Sequence, residues 1–255
     1  MTDEGVEERH AQGPVKSELK RFMMSYKFAT DEMMTKINIL KEEFSSIHDY
    51  SPIDQVRFRL KSPESILSKA SRQGCSLELD EIRAHIQDIA GIRITCSFIS
   101  DTYRVLDMLT SQGDVTVLEI KDYIASPKPN GYKSLHLLVA VPVFLSDRVQ
   151  PVTVEIQIRT IAMDFWASLE HKIYYKYAGA VPAAMVDDLK QAADVASRLD
   201  VKMQRLHEQV IELATPAAEV DESIVDPDWR SHSSMSMEVL EAFGRAGAGA
   251  TAPRP

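Results

Sequence analysis

The apolar residues Leu19, Phe22, Met23, Tyr26, Ala29, Met33, Ile37, Leu40, Phe44 and Ile47 recur in steps of three and four. That spacing predicts one long amphipathic helix from about residue 17 to 48, ended by Ser51-Pro52. A short strand at 54–61 and a helix at 62–71 follow, with Pro63 just inside the helix start, where its missing N–H does no harm. Residues 79–88 read as a helix. In 89–99, Ile92, Ile94, Cys96 and Phe98 alternate with Arg93, Thr95 and Ser97, the period of a strand. A helix at 101–112, a strand at 115–120 and a Pro/Gly loop at 126–131 come next. Strands at 132–144 and 152–160 are joined by a short turn and pair antiparallel. A helix covers 161–177. Beyond Val181-Pro182, the residues Met185, Leu189, Ala192, Ala196, Leu199, Met203, Leu206, Val210 and Leu213 form an unbroken heptad seam. It fits packing on its own domain, on the N-terminal helix or on another subunit. The sum is an α+β fold: a mixed, mainly antiparallel sheet of about five strands flanked by helices, with long N- and C-terminal helices.

Three segments follow from this pattern. Residues 1–16 and 215–255 lack apolar periodicity and read as disordered, with a weak amphipathic stretch at 237–243; residues 17–214 form the folded domain. The chain has 255 residues, 44% hydrophobic and 26% charged, enough for a full core. No apolar run reaches membrane-spanning length, and the acidic start MTDEGVEERH is not a signal peptide. A cytoplasmic location is expected. Cys75 and Cys96 lack the mutual spacing of metal ligands and read as free thiols.

The net charge of −9 argues against a general nucleic-acid binder. Yet Arg57, Arg59, Lys61, Lys69 and Arg72 crowd one segment opposed only by Glu64, which suits a small anionic ligand. Arg57, Arg59 and Lys61 share a strand face, and Lys69 and Arg72 are helix neighbours, an array able to surround a polyphosphate. A solvated basic surface gives the same pattern. In VTVEIQIRT (152–160), Glu155, Gln157 and Arg159 line one strand face. A carboxylate beside an arginine there suits a metal and a phosphate, and equally an ordinary solvated strand. Asp88, before an apolar strand, would complete a two-carboxylate Mg²⁺ site if the fold brings it to Glu155. Tyr132, beside the Pro/Gly loop, is a candidate stacking platform for a base, with Ser134 and His136 on the same strand face. No P-loop, GxGxxG, HExxH or Gly-x-Ser-x-Gly pattern is present.

Four blocks, RFRLKSPESILSKASR (57–72), IQDIAGIRITCSF (86–98), DYIASPKPNGYKSLHL (122–137) and VEIQIRTIAMDFWASLEHKIYYKY (154–177), together resemble the synthetase domain of the RelA/SpoT family. The likeness spans roughly residues 20 to 210 and is nearest to the single-domain small alarmone synthetases. It implies Mg²⁺-dependent transfer of pyrophosphate from ATP to the ribose 3′-OH of GDP or GTP, with GMP a further candidate acceptor. By position, Arg59 and Arg93 would sandwich adenine, and Lys61, Lys69 and Arg72 would hold the ATP phosphates. Asp88 and Glu155 would ligate Mg²⁺, with Glu155 activating the 3′-OH and Gln157 supporting it. Tyr132 would stack on guanine, with Lys128, Asn130 and His136 contacting the acceptor, and Arg159 belonging to the same motif. A homotetramer is implied. Some members bind an alarmone effector in the cleft between subunits; here Gln55 and Asp164 stand at the matching positions, and an acid at Asp164 would repel phosphates. The alternative expectation is a catalytically inactive nucleotide- or RNA-binding oligomeric module.

Overall fold

The computed structural model describes residues 4–47, 50–176 and 182–214. Among these, the order is α1 (Glu4–Ile47), β1 (Gln55–Leu60), α2 (Pro63–Gln73), α3 (Leu79–His85), β2 (Ala90–Cys96), α4 (Ile99–Thr110), β3 (Thr116–Asp122), β4 (Leu135–Phe144), β5 (Val149–Thr160), α5 (Ile161–Lys176) and α6 (Ala183–Ala214). The five strands form one sheet in the order β1-β2-β5-β4-β3. Only β2 and β5 run parallel; the other three pairings are antiparallel. The expected mixed α+β sheet is therefore present.

One sheet face is the core. Ile92, Ile94 and Cys96 of β2, Val154, Ile156 and Ile158 of β5, and Leu135, Leu137 and Val139 of β4 are buried there. Onto it α1 lays Phe22, Tyr26, Ala29, Met33 and Ile37, and α4 lays Val105 and Leu109. Because strand side chains alternate, burying that set obliges the intervening polar residues onto the opposite face.

Several boundaries differ from the expected ones. Helix α1 begins at Glu4, ahead of Ser17, so the disordered reading of residues 1–16 does not describe 4–16. Glu, Arg, Ala and Gln there are good helix formers, and they extend a helix that the apolar stripe has nucleated. Helix α3 stops at His85, which puts Asp88 in the turn before β2 rather than at a helix end. Strand β4 starts at Leu135, so Tyr132 lies in the loop and Ser134 is wholly buried instead of sharing an open face with it. The expected tail at 215–255, including 237–243, lies outside the described residues.

Helix α6 spans the expected heptad seam. Its inward face is short and polar. Ala193 and Asp200 are buried, Lys133 Nζ donates to Ser197 Oγ at 2.6 Å, and the Ser100 N–H donates to Gln204 Oε1 at 3.1 Å. The ring of His207 stacks on Phe98 at 3.9 Å. The seam residues Leu199, Met203, Leu206, Val210 and Leu213 point to solvent. A heptad pattern marks an apolar stripe, and here the domain does not cover its C-terminal part.

Candidate active site

Strand order assembles the polar face. Register places Arg57 opposite Arg93, Arg59 opposite Gly91, Gly91 beside Glu155, Arg93 beside Gln157, and Gln157 opposite His136. Segments distant in sequence thus contribute to one surface across four adjacent strands. The neighbouring helix α2 is held by its own ends. Ser62 Oγ caps it by accepting from the Ser65 N–H, and Gly74 closes it at φ 65°, a left-handed conformation that glycine adopts without Cβ strain. So fixed, α2 delivers Lys69.

Asp88 and Glu155 each line two cavities, of about 390 and 240 Å³. The larger is bordered by Arg57, Arg59, Lys61, Arg93 and Gln157, the smaller by Lys69, His85, Lys121 and His136. The two carboxylates therefore stand where the two spaces meet. Asp88 accepts from Lys69 at 2.8 Å and from Lys61 at 3.0 Å. Burial alone would raise its carboxyl, but the two lysines outweigh it and hold it below the usual carboxylate range. Glu155 is likewise lowered: burial raises it, while His136 and Gln157 lower it more, against a smaller opposing effect of the Asp88 charge. Both groups are ionised at neutral pH. Paired anionic oxygens lining one space suit a hard divalent cation such as Mg²⁺, and each oxygen keeps a lone pair beyond those its neighbours use.

Two hydrogen-bonded arms run from Arg159 to Glu155. In one, Arg159 Nη2 donates to Gln157 Oε1 at 2.8 Å, and Gln157 Nε2 donates to Glu155 Oε2 at 3.1 Å. In the other, Arg159 Nη2 donates to the Tyr132 hydroxyl at 2.6 Å, which lies 2.7 Å from His136 Nε2, with His136 Nδ1 3.4 Å from Glu155 Oε1. Arg159 Nη1 also reaches Asp164 Oδ1 at 3.0 Å, and the same oxygen is 3.1 Å from Arg93 Nη1. Asp164 sits there because α5 starts directly off β5: the Thr160 hydroxyl accepts from the Met163 N–H at 3.1 Å and donates to Asp200 at 2.7 Å.

The loop before β4 is held as tightly. Asn130 Oδ1 accepts from the Tyr132 N–H at 3.2 Å, and Asn130 Nδ2 donates to Glu170 at 3.1 Å. Gly131 has φ 87°, and a Cβ there would come within 2.5 Å of the Ala193 Cβ on α6. The Tyr132 ring packs on Trp166, Ala167 and Ala193, and Lys128 Nζ lies 4.9 Å from its centre.

Residues 58–180 match the model described as the region found in RelA / SpoT proteins. GTP pyrophosphokinase YwaC of Bacillus subtilis is 50% identical over 196 residues, covering 77% of this chain and 93% of that protein. The chain belongs to the RelA/SpoT family. Among solved members, small alarmone synthetase 1 from Bacillus subtilis bound to its product pppGpp superposes with a TM-score of 0.70 at 41% identity, covering 76% of this chain and 98% of that one. The same enzyme bound to AMPCPP gives 0.66 at 39%, covering 77% and 99%.

Most residues expected from the RelA/SpoT likeness converge. Arg59, Lys61, Lys69, Arg93, Asp88, Glu155, Gln157 and His136 line the two cavities, and Tyr132, Lys128 and Asn130 form the adjoining loop. Two stand apart. Arg72 is exposed in the last turn of α2 and lines neither cavity. Arg159, expected near the acceptor nucleotide, is only 4% exposed, and its donors are committed to protein oxygens. Asp164 escaped the sequence reading as a member of this wall. Its place, one helical turn after the strand, was a usable signal, since residues 159 and 164 flank the strand-to-helix junction. Its carboxylate is shared by Arg93 and Arg159. Gln55 accepts from Arg57 at 3.0 Å. Among the described residues, no helix is long and apolar enough to cross a membrane.

Proposed function

We propose that the chain transfers pyrophosphate from ATP to the ribose 3′-OH of GDP or GTP, giving ppGpp or pppGpp and AMP. The observation that carries this reading is the position of Asp88 and Glu155 between a cation-lined cavity and one bordered by His136. ATP occupies the first space, its adenine against Arg59 and Arg93 and its phosphates toward Lys61 and Lys69. The guanine nucleotide enters beside Tyr132, Lys128, Asn130 and His136. The 3′-oxygen attacks the β-phosphorus, the bond from that phosphorus to the α,β-bridging oxygen breaks, and AMP leaves. Glu155 receives the hydroxyl proton; its lowered pKa keeps it ionised and ready. Mg²⁺, held by Asp88 and Glu155, would neutralise charge on the phosphate oxygens. Gln157 and Arg159 are positioning residues that hold Glu155 through the two arms.

The relatives named for pyrophosphokinase activity, and those solved with pppGpp and with AMPCPP, support these substrates. An inactive RNA-binding module is disfavoured by the ionised carboxylate pair. Incubation with ATP, Mg²⁺ and each of GMP, GDP and GTP tests the reading: AMP and a 3′-pyrophosphorylated nucleotide are expected. ATP left intact with all three acceptors would overturn it.

The homotetramer and the cytoplasmic location belong to the same proposal. The exposed apolar residues Leu199, Met203, Leu206, Val210 and Leu213 on α6 support association through that helix. Leu206→Glu should lower the mass in solution; an unchanged mass places the interface elsewhere.

A further inference from the structure

Cys75, Glu81 and His85 each offer one ligand atom, and the three atoms lie within 4.8 Å of one another. The spacing of the two cysteines gave no hint of this, because the partners of Cys75 are a carboxylate and an imidazole. Glu81 and His85 are one turn apart on α3, so they share a face. Cys75 approaches from the loop that follows Gly74. Its backbone N–H donates to the Ala70 carbonyl at 3.0 Å, so the thiol is carried on a fixed helix end. His85 Nδ1 lies 2.9 Å from the Glu81 carbonyl oxygen, which orients the ring.

We propose that these three side chains form a site for a divalent transition metal of the Zn²⁺ class at the junction of α2 and α3. Thiolate, imidazole and carboxylate together are the donors such ions take, whereas Mg²⁺ requires an all-oxygen set. Four-coordinate ligands on Zn²⁺ stand about 3.3 to 3.8 Å apart. Contraction from the observed separation is small and falls on the exposed side chains of Glu81 and His85, which already lie 3.4 Å apart at Glu81 Oε2 and His85 Nδ1. The thiol releases its proton on binding, so thiolate and carboxylate together balance the charge of the ion. Water fills the remaining position.

The site bears on the chemistry next to it without being part of it. Helix α2 carries Lys69, α3 leads into Asp88, and His85 itself borders the cavity of Lys69 and Asp88. A metal bridging Cys75 to α3 ties the end of one element to the other at the edge of that cavity.

Co²⁺ titration of the full chain, reduced and free of added thiol, reads the site without nucleotide. One equivalent should produce thiolate-to-cobalt charge-transfer absorption that excess Mg²⁺ does not remove and Zn²⁺ does. Cys75→Ser should abolish the band while leaving the circular dichroism unchanged, and Cys96→Ser should leave the band intact. His85→Gln should weaken Co²⁺ binding about tenfold or more. Zn²⁺ should raise the unfolding temperature of the parent and not of Cys75→Ser. Absence of the band at stoichiometric Co²⁺, or its survival in Cys75→Ser, would overturn the site. Unchanged affinity in His85→Gln would overturn the three-ligand set. None of these outcomes depends on whether the protein makes alarmone.

Discussion

Arg159 and Arg59 present the same guanidinium to one sheet face, yet their surroundings are opposite. Arg159 has a side chain 5% exposed and donates to Ser134, Asp164, Tyr132 and Gln157. Arg59 stands exposed on edge strand β1, at the rim of the larger cavity, with no ion-pair partner among the described residues. The contrast extends to their neighbourhoods. The β5 wall is a closed network, assembled before any nucleotide arrives. The β1–α2 wall is a set of cations of which Lys61 and Lys69 are anchored on Asp88. A wall that positions a reacting carboxylate gains from rigidity, because error in its placement costs rate directly. A wall that receives a flexible polyphosphate gains from cations left partly solvated, since their charge is then available to the ligand.

The largest expected effect tests the end point of the closed wall. Glu155→Gln keeps the shape and one acceptor oxygen but removes the charge and the base. Product formation should fall by roughly a hundredfold or more, with the unfolding temperature unchanged. Near-parental turnover would remove Glu155 from the reaction.

Next in size is the contrast between the two arginines. Arg159→Ala leaves Asp164 and the Tyr132 hydroxyl without their buried partner, a loss of about 3 to 5 kcal/mol of stability. Arg59→Ala should leave stability untouched and raise the KM for ATP, with the KM for the acceptor unchanged. Denaturant unfolding and initial rates read both. Equal destabilisation by the two substitutions would dissolve the comparison.

A smaller effect is expected at the bridge between the walls. Asp164→Asn keeps an acceptor for one arginine but leaves Arg93 and Arg159 facing each other without a counter-charge. Burial and the nearby Arg159 charge already push the Arg93 guanidinium down, with Asp164 opposing them. A fall of about tenfold in kcat/KM for both nucleotides corresponds to ~1.4 kcal/mol. A fall confined to one nucleotide would mean that Asp164 serves only one wall.

The smallest effect is in pH dependence, and the two walls should show opposite signs. Asp88 is lowered, so its contribution to stability is present above the unfolded value near 3.9 and lost as pH falls through the folded value. Asp200, which receives the Thr160 hydroxyl behind β5, is raised by burial. Its contribution is present below that unfolded value and lost as pH rises through the folded one. Against the parent, Asp200→Asn should therefore gain in unfolding temperature toward neutral pH, whereas Asp88→Asn should lose there. Scans from about pH 2 to 7 read both slopes. Parallel slopes would break the assignment.

Much was legible from the chain alone. Period-two alternation named the strands and their faces, and period 3.6 named the helices, because both follow from local backbone geometry. Residue types in the four blocks were enough to nominate Asp88, Glu155, Tyr132 and the cationic cluster. Where α3 ends and where β4 begins was not legible, since tertiary contacts override weak local preferences at element ends.

Sequence by itself determined which side of each strand is apolar, and so which residues share the polar face. Only the tertiary structure decided what those residues do to one another. The parallel pairing of β2 with β5 sets Gly91 and Arg93 beside Glu155 and Gln157, a neighbourhood between segments more than fifty residues apart. The turn off β5 into α5 swings Asp164 back against Arg159, whose buried guanidinium is bonded to protein oxygens. Long-range pairing and desolvation belong to the folded whole, so no window of sequence carries them.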